Sequence, residues 1–255
     1  MGEPSVRVWI EKEGGLLRLR LARPKANILD AAMIAALDAA FRDRRYAGVR
    51  AALLDHEGPH FSFGASVEEH LPENCAAMLA SLHSLIVRML EWPAPVLVAV
   101  KGHCLGGGLE LALAGSRIFA AADAQFGQPE IKLAVFAPAA SCLLPFRVNQ
   151  QCAEDLLFSG RSLGADEALR VGLAAAVEAD PVAAALEYYD RHLGAHSAAA
   201  LGYALRAARV GVTAEVKRRI AEVEKLYLEG LMKTRDANEG LVAFMEKRTP
   251  HFEHR

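Results

Sequence analysis

The segment Leu105-Gly106-Gly107-Gly108-Leu109-Glu110 decides the fold of this 255-residue chain. Its three glycines follow a predicted buried strand and precede an alanine- and leucine-rich helix, so the backbone there can approach a ligand with its N–H groups exposed. Glu110 lies in the first turn of that helix and is the only charged residue between Lys101 and Arg117. A carboxylate in so apolar a stretch is costly to bury unless it is paired, hydrogen-bonded or used in chemistry.

On its own, this segment has two other interpretations. Glu110 could simply complement the N-terminus of its helix, as acidic residues in a first turn often do. The glycine run could bind a phosphate, but it lacks the GxGxxG spacing of dinucleotide sites and the Lys-Ser/Thr pair of a P-loop. The spacing therefore disfavours a nucleotide site.

A second carboxylate follows in Gln125-Phe126-Gly127-Gln128-Pro129-Glu130, 20 residues after Glu110 (130 − 110). That distance allows a helix, a strand and a return to the same end of a sheet. Two carboxylates that face one cleft can hold different protonation states, so that one acts as a base and the other as an acid. Considered alone, Glu130 fits a solvated loop acid better than a catalytic group.

A third segment, Phe61-Ser62-Phe63-Gly64-Ala65-Ser66, places a glycine between aromatic and small residues. Such a loop can present a backbone N–H to a cleft, although in isolation it also fits an ordinary loop anchored by two phenylalanines.

Periodicity predicts the elements around these segments. Strand patterns alternate with helical ones in the first half of the chain, and the last third, from about Asp166, is almost wholly helical. Asp30 is placed to cap the first helix. The predicted strands are 6–10 and 16–21 (a hairpin), 51–55, 95–100 and 118–121, and the predicted helices are 31–41, 75–90, 106–115, 182–193, 214–231 and 238–247.

Composition limits the classes of protein that fit. Apolar residues make up 53% and charged residues 24%, which suits a sizeable core and excludes a disordered or collagen-like chain. The formal net charge of −2 gives no sign of a nucleic-acid partner. We expect no membrane span, because no apolar run approaches about 20 residues. The N-terminus lacks a signal pattern and the four cysteines show no CxxC pair, so we expect reduced thiols and a cytoplasmic location.

Together, the three glycine-containing segments resemble the enoyl-CoA hydratase/isomerase (crotonase) superfamily. The resemblance runs from residues 22–27 to residues 244–250. It implies an α/β crotonase fold, with repeated strand-strand-helix units forming a spiral core over residues 1–195. A helical trimerisation region would occupy residues 196–255, and the protein would be a homotrimer or homohexamer.

The resemblance also implies the site. Members bind acyl-CoA thioesters and stabilise an enolate-like anion with two backbone N–H groups, which fall here on Ala65 and Gly107. In the hydratases of the family two glutamates share a water, and both are present here as Glu110 and Glu130. No metal and no cofactor is implied, since CoA is part of the substrate. Further positions are substrate-binding (Phe63, Gly64, Ser66, Gly106, Phe136 and Pro138) or CoA-binding (Lys25, Phe244 and Lys247).

Two departures from the family pattern concern the acyl group. Ser66 stands where aspartate is usual, and the usual glycine-rich run after Glu130 is replaced by residues 134–142. Phe136 and Pro138 add bulk and rigidity there, which favours a flat ring over a short linear chain. Residues 63–70 and 135–144 resemble most the members that hydrate a cyclic dienoyl-CoA. A hydratase or isomerase of linear acyl-CoAs is the alternative.

Other classes fit the sequence less well. Gly160-Arg161-Ser162-Leu163-Gly164 matches the GxSxG elbow of serine hydrolases, with Asp180 and His192 or His196 following, but no hydrophobic strand is predicted before Ser162, which we place in a turn. Cys104 beside His103 is better explained as a buried thiol than as a nucleophile. Gly58-Pro59 separates His56 from His60 and argues against a metal site. A non-catalytic scaffold would not need both glutamates.

Overall fold

Two sheets carry the three glycine-containing segments in the computed structural model, which describes residues 4–254. The main sheet has six strands, and a smaller sheet has three. In chain order the strands are β1 (Val6–Glu11), β2 (Leu16–Leu21), β3 (Ala51–His56), β4 (Val96–Val100), β5 (His103–Leu105), β6 (Arg117–Ala120), β7 (Gln125–Gly127), β8 (Ser162–Gly164) and β9 (Ala176–Val177).

The main sheet has the order β1-β2-β3-β4-β6-β9. Its first two strands form the predicted hairpin, with Val6 opposite Leu21 and Glu11 opposite Leu16, and the other neighbours are parallel. The predicted strands are thus confirmed, with ends that differ by one residue at most sites. Alternation would turn Arg18 towards water, but it is buried because it pairs with Asp55 on β3 and with Glu11.

The smaller sheet explains why distant segments meet. Its order is β5-β7-β8, and β5 and β7 are parallel, with Leu105 opposite Gly127. Both strands therefore end at one edge, and one leads into Gly106 while the other leads into Gln128. A bridge between Ser62 and Cys104 sets the third segment on the other side of β5.

Helices cover the sheets and enclose the core. Asp30 caps the first helix as predicted, since its carboxylate accepts a hydrogen bond from Met33 N at 2.8 Å. The apolar faces of the first three helices pack on the inner side of the main sheet in one large cluster. The helices up to residue 192 are α1 (Ala31–Arg42), α2 (Cys75–Glu91), α3 (Gly107–Leu113), α4 (Pro138–Leu143), α5 (Gln150–Ser159), α6 (Ala165–Arg170) and α7 (Pro181–His192).

The C-terminal region is helical but differs from the prediction. A helix predicted over 214–231 begins sixteen residues earlier, as α8 (Ala198–Lys225), and passes into a π-helical turn (Leu226–Gly230). Ser197 caps its start, and the alanine-rich stretch that follows is helical by propensity rather than by apolar periodicity. The helix predicted over 238–247 is α9 (Arg235–Met245), capped by Thr234. No helix within the described residues has the length and apolar character needed to cross a bilayer.

The short helix α3 is fixed at both ends. Its N-terminus follows Gly106, where φ is +52°, a value that favours glycine. Its last carbonyls are held by two arginines, since Arg147 Nε donates to Leu113 O at 3.1 Å and Arg209 Nη2 donates to Gly115 O at 3.1 Å. Cations at a helix C-terminus are stabilising, so α3 is held rigidly in the position that presents Glu110.

Candidate active site

Glu110 is buried at the N-terminal end of α3, with only 4% of its surface exposed. Its Oε1 accepts a hydrogen bond from Ala140 N at 2.8 Å, in the first turn of α4. Burial raises the pKa of Glu110, while the nearby His83 and the N–H groups at the start of α4 act in the opposite direction. The carboxylate is therefore held by donors that favour its charged form.

Glu130 lies beside Glu110, in a 3-10 turn (Pro129–Leu133) rather than in the predicted open loop. A Cβ built on Gly106 would lie 2.6 Å from Glu130 Oε1, so the carboxyl group rests directly on the glycine backbone. Burial, and next the negative charge of Glu110, raise the pKa of Glu130 to about 8. Glu130 is therefore the member of the pair that favours the proton, whereas the charged form of Glu110 has hydrogen-bond donors to stabilise it.

Gln128 is a site residue that the sequence did not identify by role, although it belongs to the quoted motif. Its side chain is almost fully buried and faces the Glu130 carboxyl group. Turned with its nitrogen towards Glu130, the amide donates to Oε2 at 3.0 Å and to Oε1 at 3.2 Å. Turned the other way, its oxygen can accept the proton of an uncharged Glu130. An amide can therefore serve both protonation states of this group.

Two backbone N–H groups converge next to the glutamates. A Cβ built on Gly107 would lie 3.0 Å from Ala65 N, which places the two predicted oxyanion donors side by side. Neither N–H donates a hydrogen bond to any residue of the described chain. Ser62 fixes the loop, since its Oγ accepts from Gly64 N at 3.0 Å and donates to Asn27 O at 2.8 Å. The two free donors can therefore receive a developing oxyanion.

An apolar cluster adjoins this donor pair through Ala65 and is the candidate acyl-binding region. Ala65, Phe136 and Tyr227 belong to it, and the rings of Phe136 and Tyr227 meet edge to face at a centroid distance of 5.2 Å. Pro138 is buried at the first position of α4 and supplies no N–H there. Tyr227 was missed from the sequence because it lies 97 residues after Glu130 (227 − 130) in a polar helix.

The remaining predicted positions lie outside the apolar cluster, and four of them are exposed. Phe63 is exposed and packs against the rings of His60 and His103, at centroid distances of 5.0 and 5.1 Å, rather than in the apolar cluster. Gly64 is buried and Ser66 is half-buried in the same loop. The three CoA-binding positions, Lys25, Phe244 and Lys247, are all exposed.

The residues considered for a serine or cysteine nucleophile have structural roles instead. Ser162 lies in β8, so its placement in a turn was wrong; its hydroxyl packs against Gly127, because this strand pairs with β7. Asp180 caps α7 by accepting from Val182 N and Ala183 N. Cys104 is fully buried, and burial raises the pKa of its thiol well above the usual value, so it carries no thiolate.

The two histidines considered for a metal site are engaged with the backbone. His56 Nε2 accepts a hydrogen bond from Lys101 N at 3.1 Å, and His60 Nδ1 accepts one from His103 N at 3.2 Å. These nitrogens hold the strand ends in place.

Comparison with known proteins gives matches over the full chain. The family described as enoyl-CoA hydratase/isomerase matches residues 11–255. Cyclohexa-1,5-dienecarbonyl-CoA hydratase of Thauera aromatica is 59% identical over 100% of both chains. 2,3-Dehydroadipyl-CoA hydratase of Escherichia coli (strain K12) is 30% identical over 96% of this chain and 98% of that protein. An enoyl-CoA hydratase/isomerase structure from Pseudoalteromonas atlantica T6c has a TM-score of 0.81, with 28% identity over 97% and 99% of the chains.

Proposed function

The chain belongs to the enoyl-CoA hydratase/isomerase family, and from this we propose that it adds water to cyclohexa-1,5-diene-1-carbonyl-CoA. The product is 6-hydroxycyclohex-1-ene-1-carbonyl-CoA. The observation that carries this proposal is the 59% identity, over both full chains, with a hydratase named for this diene. The glutamate pair supports a hydration, and the bulk of Phe136 and Pro138 suits a ring.

The oxyanion donors act on the thioester. The carbonyl oxygen of the acyl group lies between Ala65 N and Gly107 N, which stabilise the negative charge that develops when the β-carbon is attacked. Each fixed donor of this kind contributes about 3 kcal/mol to the stability of a transition state. Because neither N–H has an acceptor within the described residues, no existing hydrogen bond has to be broken first.

The two glutamates divide the proton transfers. Glu110, which carries the charge, takes a proton from water as the oxygen forms its bond to the β-carbon. Electrons move through the extended enolate, and Glu130 gives its proton to the far end of the diene rather than to the α-carbon. One proton is gained and one is lost by the pair, so its total is unchanged, and a proton passing from Glu110 to Glu130 restores the starting state.

Binding of the CoA portion involves the surface positions. Lys25 precedes Ala26, whose carbonyl oxygen holds the proposed oxyanion loop by accepting a hydrogen bond from Phe63 N at 2.9 Å. Phe244 and Lys247 lie at the end of α9 and would reach the CoA of a neighbouring subunit in a trimer or a dimer of trimers. No cofactor takes part in this scheme, because the acyl-CoA thioester supplies every reacting atom other than water.

The test compares two substrates, and it compares two variants of the candidate site with one control variant. We expect the purified protein to hydrate the cyclic diene much faster than crotonyl-CoA. Glu110→Gln and Glu130→Gln should lose most turnover while still binding the CoA ester, and Glu154→Gln, an exposed glutamate on α5, should keep wild-type activity. A preference for crotonyl-CoA would refute the ring as acyl group and favour the linear alternative. Binding without hydration of either thioester would favour an isomerase or a non-catalytic relative.

A further inference from the structure

Tyr227 is a buried tyrosine whose hydroxyl group has no partner. Its side chain has 0% exposure, and its Oη makes no hydrogen bond within residues 4–254. A buried hydroxyl left unpaired is destabilising, so such a group calls for an explanation. It also lies in the π-helical turn Leu226–Gly230, and π turns inside helices are frequent at functional sites.

Tyr227 belongs to the apolar cluster that we take as the acyl-binding region. Its ring meets that of Phe136, and the same cluster includes Val135 and Ala65. The cluster thus joins Tyr227 to the segment after Glu130 and to the loop that carries a predicted oxyanion donor. It also includes Cys75, Met78 and Leu79 of α2, none of which offers a strong acceptor.

The hydroxyl group stays protonated in this position. Burial raises the pKa of Tyr227 far above its usual value, and the nearby Cys75, Glu130 and Glu110 raise it further. Tyr227 can thus act as a hydrogen-bond donor near the two candidate glutamates.

The chemistry of the substrate identifies the atom to which this donor points. The carbons of an unsaturated acyl group accept no hydrogen bond, and the thioester oxygen is taken by Ala65 N and Gly107 N. The remaining oxygen of the reacting molecules is that of the water that adds to the β-carbon, which becomes the hydroxyl of the product. We propose that Tyr227 is a catalytic residue whose hydroxyl group donates a hydrogen bond to this oxygen. The inference rests on the proposed hydration but not on which acyl group is hydrated.

The matched control is a second buried tyrosine. Tyr189 of α7 is also almost fully buried, with an Oη that makes no hydrogen bond within the described chain. It packs with Leu16, Leu53 and Leu97 in a separate cluster on the other face of the main sheet. A tyrosine that serves only packing should behave as Tyr189 does when its hydroxyl is removed.

The experiment removes only the oxygen atom, in Tyr227→Phe and in Tyr189→Phe. Because neither hydroxyl is bonded in the free protein, both variants should have a Tm equal to or above that of the wild type. Tyr227→Phe should lose tenfold or more in kcat for hydration, with little change in KM, and Tyr189→Phe should keep wild-type kcat. Wild-type kcat in Tyr227→Phe would overturn the proposal.

A binding measurement gives an independent readout. The hydroxylated product carries the oxygen that Tyr227 is proposed to bind, whereas cyclohexanecarbonyl-CoA lacks it. Tyr227→Phe should bind the product several-fold more weakly than the wild type does and cyclohexanecarbonyl-CoA equally well. Equal losses for both ligands would mean that Tyr227 only shapes the pocket and would overturn the proposal. If crotonyl-CoA proves to be the substrate, the matched ligands become 3-hydroxybutyryl-CoA and butyryl-CoA. That outcome refutes the proposed acyl group, whereas the role of Tyr227 is still tested by the same comparison.

Discussion

Glu110 and Glu130 show how one type of side chain acquires two roles from its surroundings. Burial raises the pKa of both groups, but His83 and the N–H groups at the start of α4 oppose this rise for Glu110, whereas the negative charge of Glu110 adds to it for Glu130. Glu130 is therefore the member of the pair that favours the proton. This difference assigns the base and the acid in the proposed hydration and leads to two predictions.

The first prediction concerns the pH dependence of the reaction. Turnover needs a charged Glu110 and a protonated Glu130, so kcat/KM should fall at low pH and should fall again as the pH rises through about 8. The two apparent pKa values of this pH profile belong to the coupled pair of glutamates rather than to either residue alone. Initial rates between pH 5 and 10, with Tm measured at each pH to exclude unfolding, would check this. A rate that stays constant from pH 7 to 9.5 would contradict the assignment of Glu130 as the acid.

The second prediction concerns stability. The pKa of Glu130 rises from 4.5 in the unfolded chain to about 8 in the folded protein, so between these values the folded state holds the extra proton. Its stabilising contribution is complete below about pH 4.5 and is lost as the pH rises through about 8. Glu130→Gln removes this dependence. The Tm of the variant should therefore rise relative to that of the wild type between pH 5 and 9, and parallel curves for the two proteins would refute it.

At the scale of single residues, the sequence indicated a candidate site residue where a charged side chain stands next to glycine or proline. Glu110 and Glu130 could be predicted because each stands beside glycines or proline in a stretch with few other charges. Tyr227 could not, because its partners Phe136 and Ala65 are about 90 and 160 residues away along the chain. Gln128 was visible, but its contact with Glu130 depends on the 3-10 turn that brings the two side chains together.

At the scale of the element, the close packing of α3 against the oxyanion loop is the decisive feature. A Cβ built on Gly108 would lie 2.6 Å from Ser62 Cβ, the residue that fixes this loop. Gly108→Ala should therefore push Ser62 away and separate the two oxyanion donors, lowering kcat by about tenfold or more, although alanine is the better helix former.

Gly211 of α8 provides the matched control. No atom lies within 4 Å of a Cβ built there, so Gly211→Ala should keep wild-type kcat and stabilise the protein by about 0.5–1 kcal/mol. Thermal unfolding and initial rates of both variants would check the pair. Unchanged kcat in Gly108→Ala would show that the contact with Ser62 does not position the donors.

The prediction of helices and strands succeeded where one face of the helix or strand is buried. The strands β2, β3 and β4 and the helices α1 and α2 have apolar side chains at the expected spacing, and their bounds were predicted closely. The start of α8 was missed because residues 198–213 pack lightly and show no apolar stripe; within α8 only Val216 and Ile220 are buried. Its π-helical turn has no sequence signature, since it depends on how Tyr227 fits the pocket.

At the scale of the molecule, the family leads us to expect a trimer or a dimer of trimers. Large apolar side chains are exposed in the second half of the chain, and oligomerisation would cover some of them. Phe158, Tyr203, Val210 and Leu226 each have more than 60% exposure. Sedimentation velocity should give three or six times the mass of the chain, and a species of one chain mass at micromolar concentration would contradict this expectation.

The overall fold was the part most accessible from the sequence, because the motifs and their order extend through nearly the whole chain. The division at residue 195 stays a prediction. The sequence did not show how the C-terminal helices pack on the candidate site. Gly240 of α9 contacts the 3-10 turn that includes Glu130, and a single small residue gives no recognisable apolar pattern.

The places in the chain that supply the proposed site have a consequence for how such a catalyst can change. The candidate glutamates follow the ends of β5 and β7, whereas the proposed acyl-binding residues belong to residues 134–142 and to the π-helical turn. In the proposed scheme the reacting groups thus belong to the core, whereas the residues that select the acyl group belong to later segments of the chain. Substitutions in those later segments alone can therefore change which acyl group is bound and leave the reacting groups as they are.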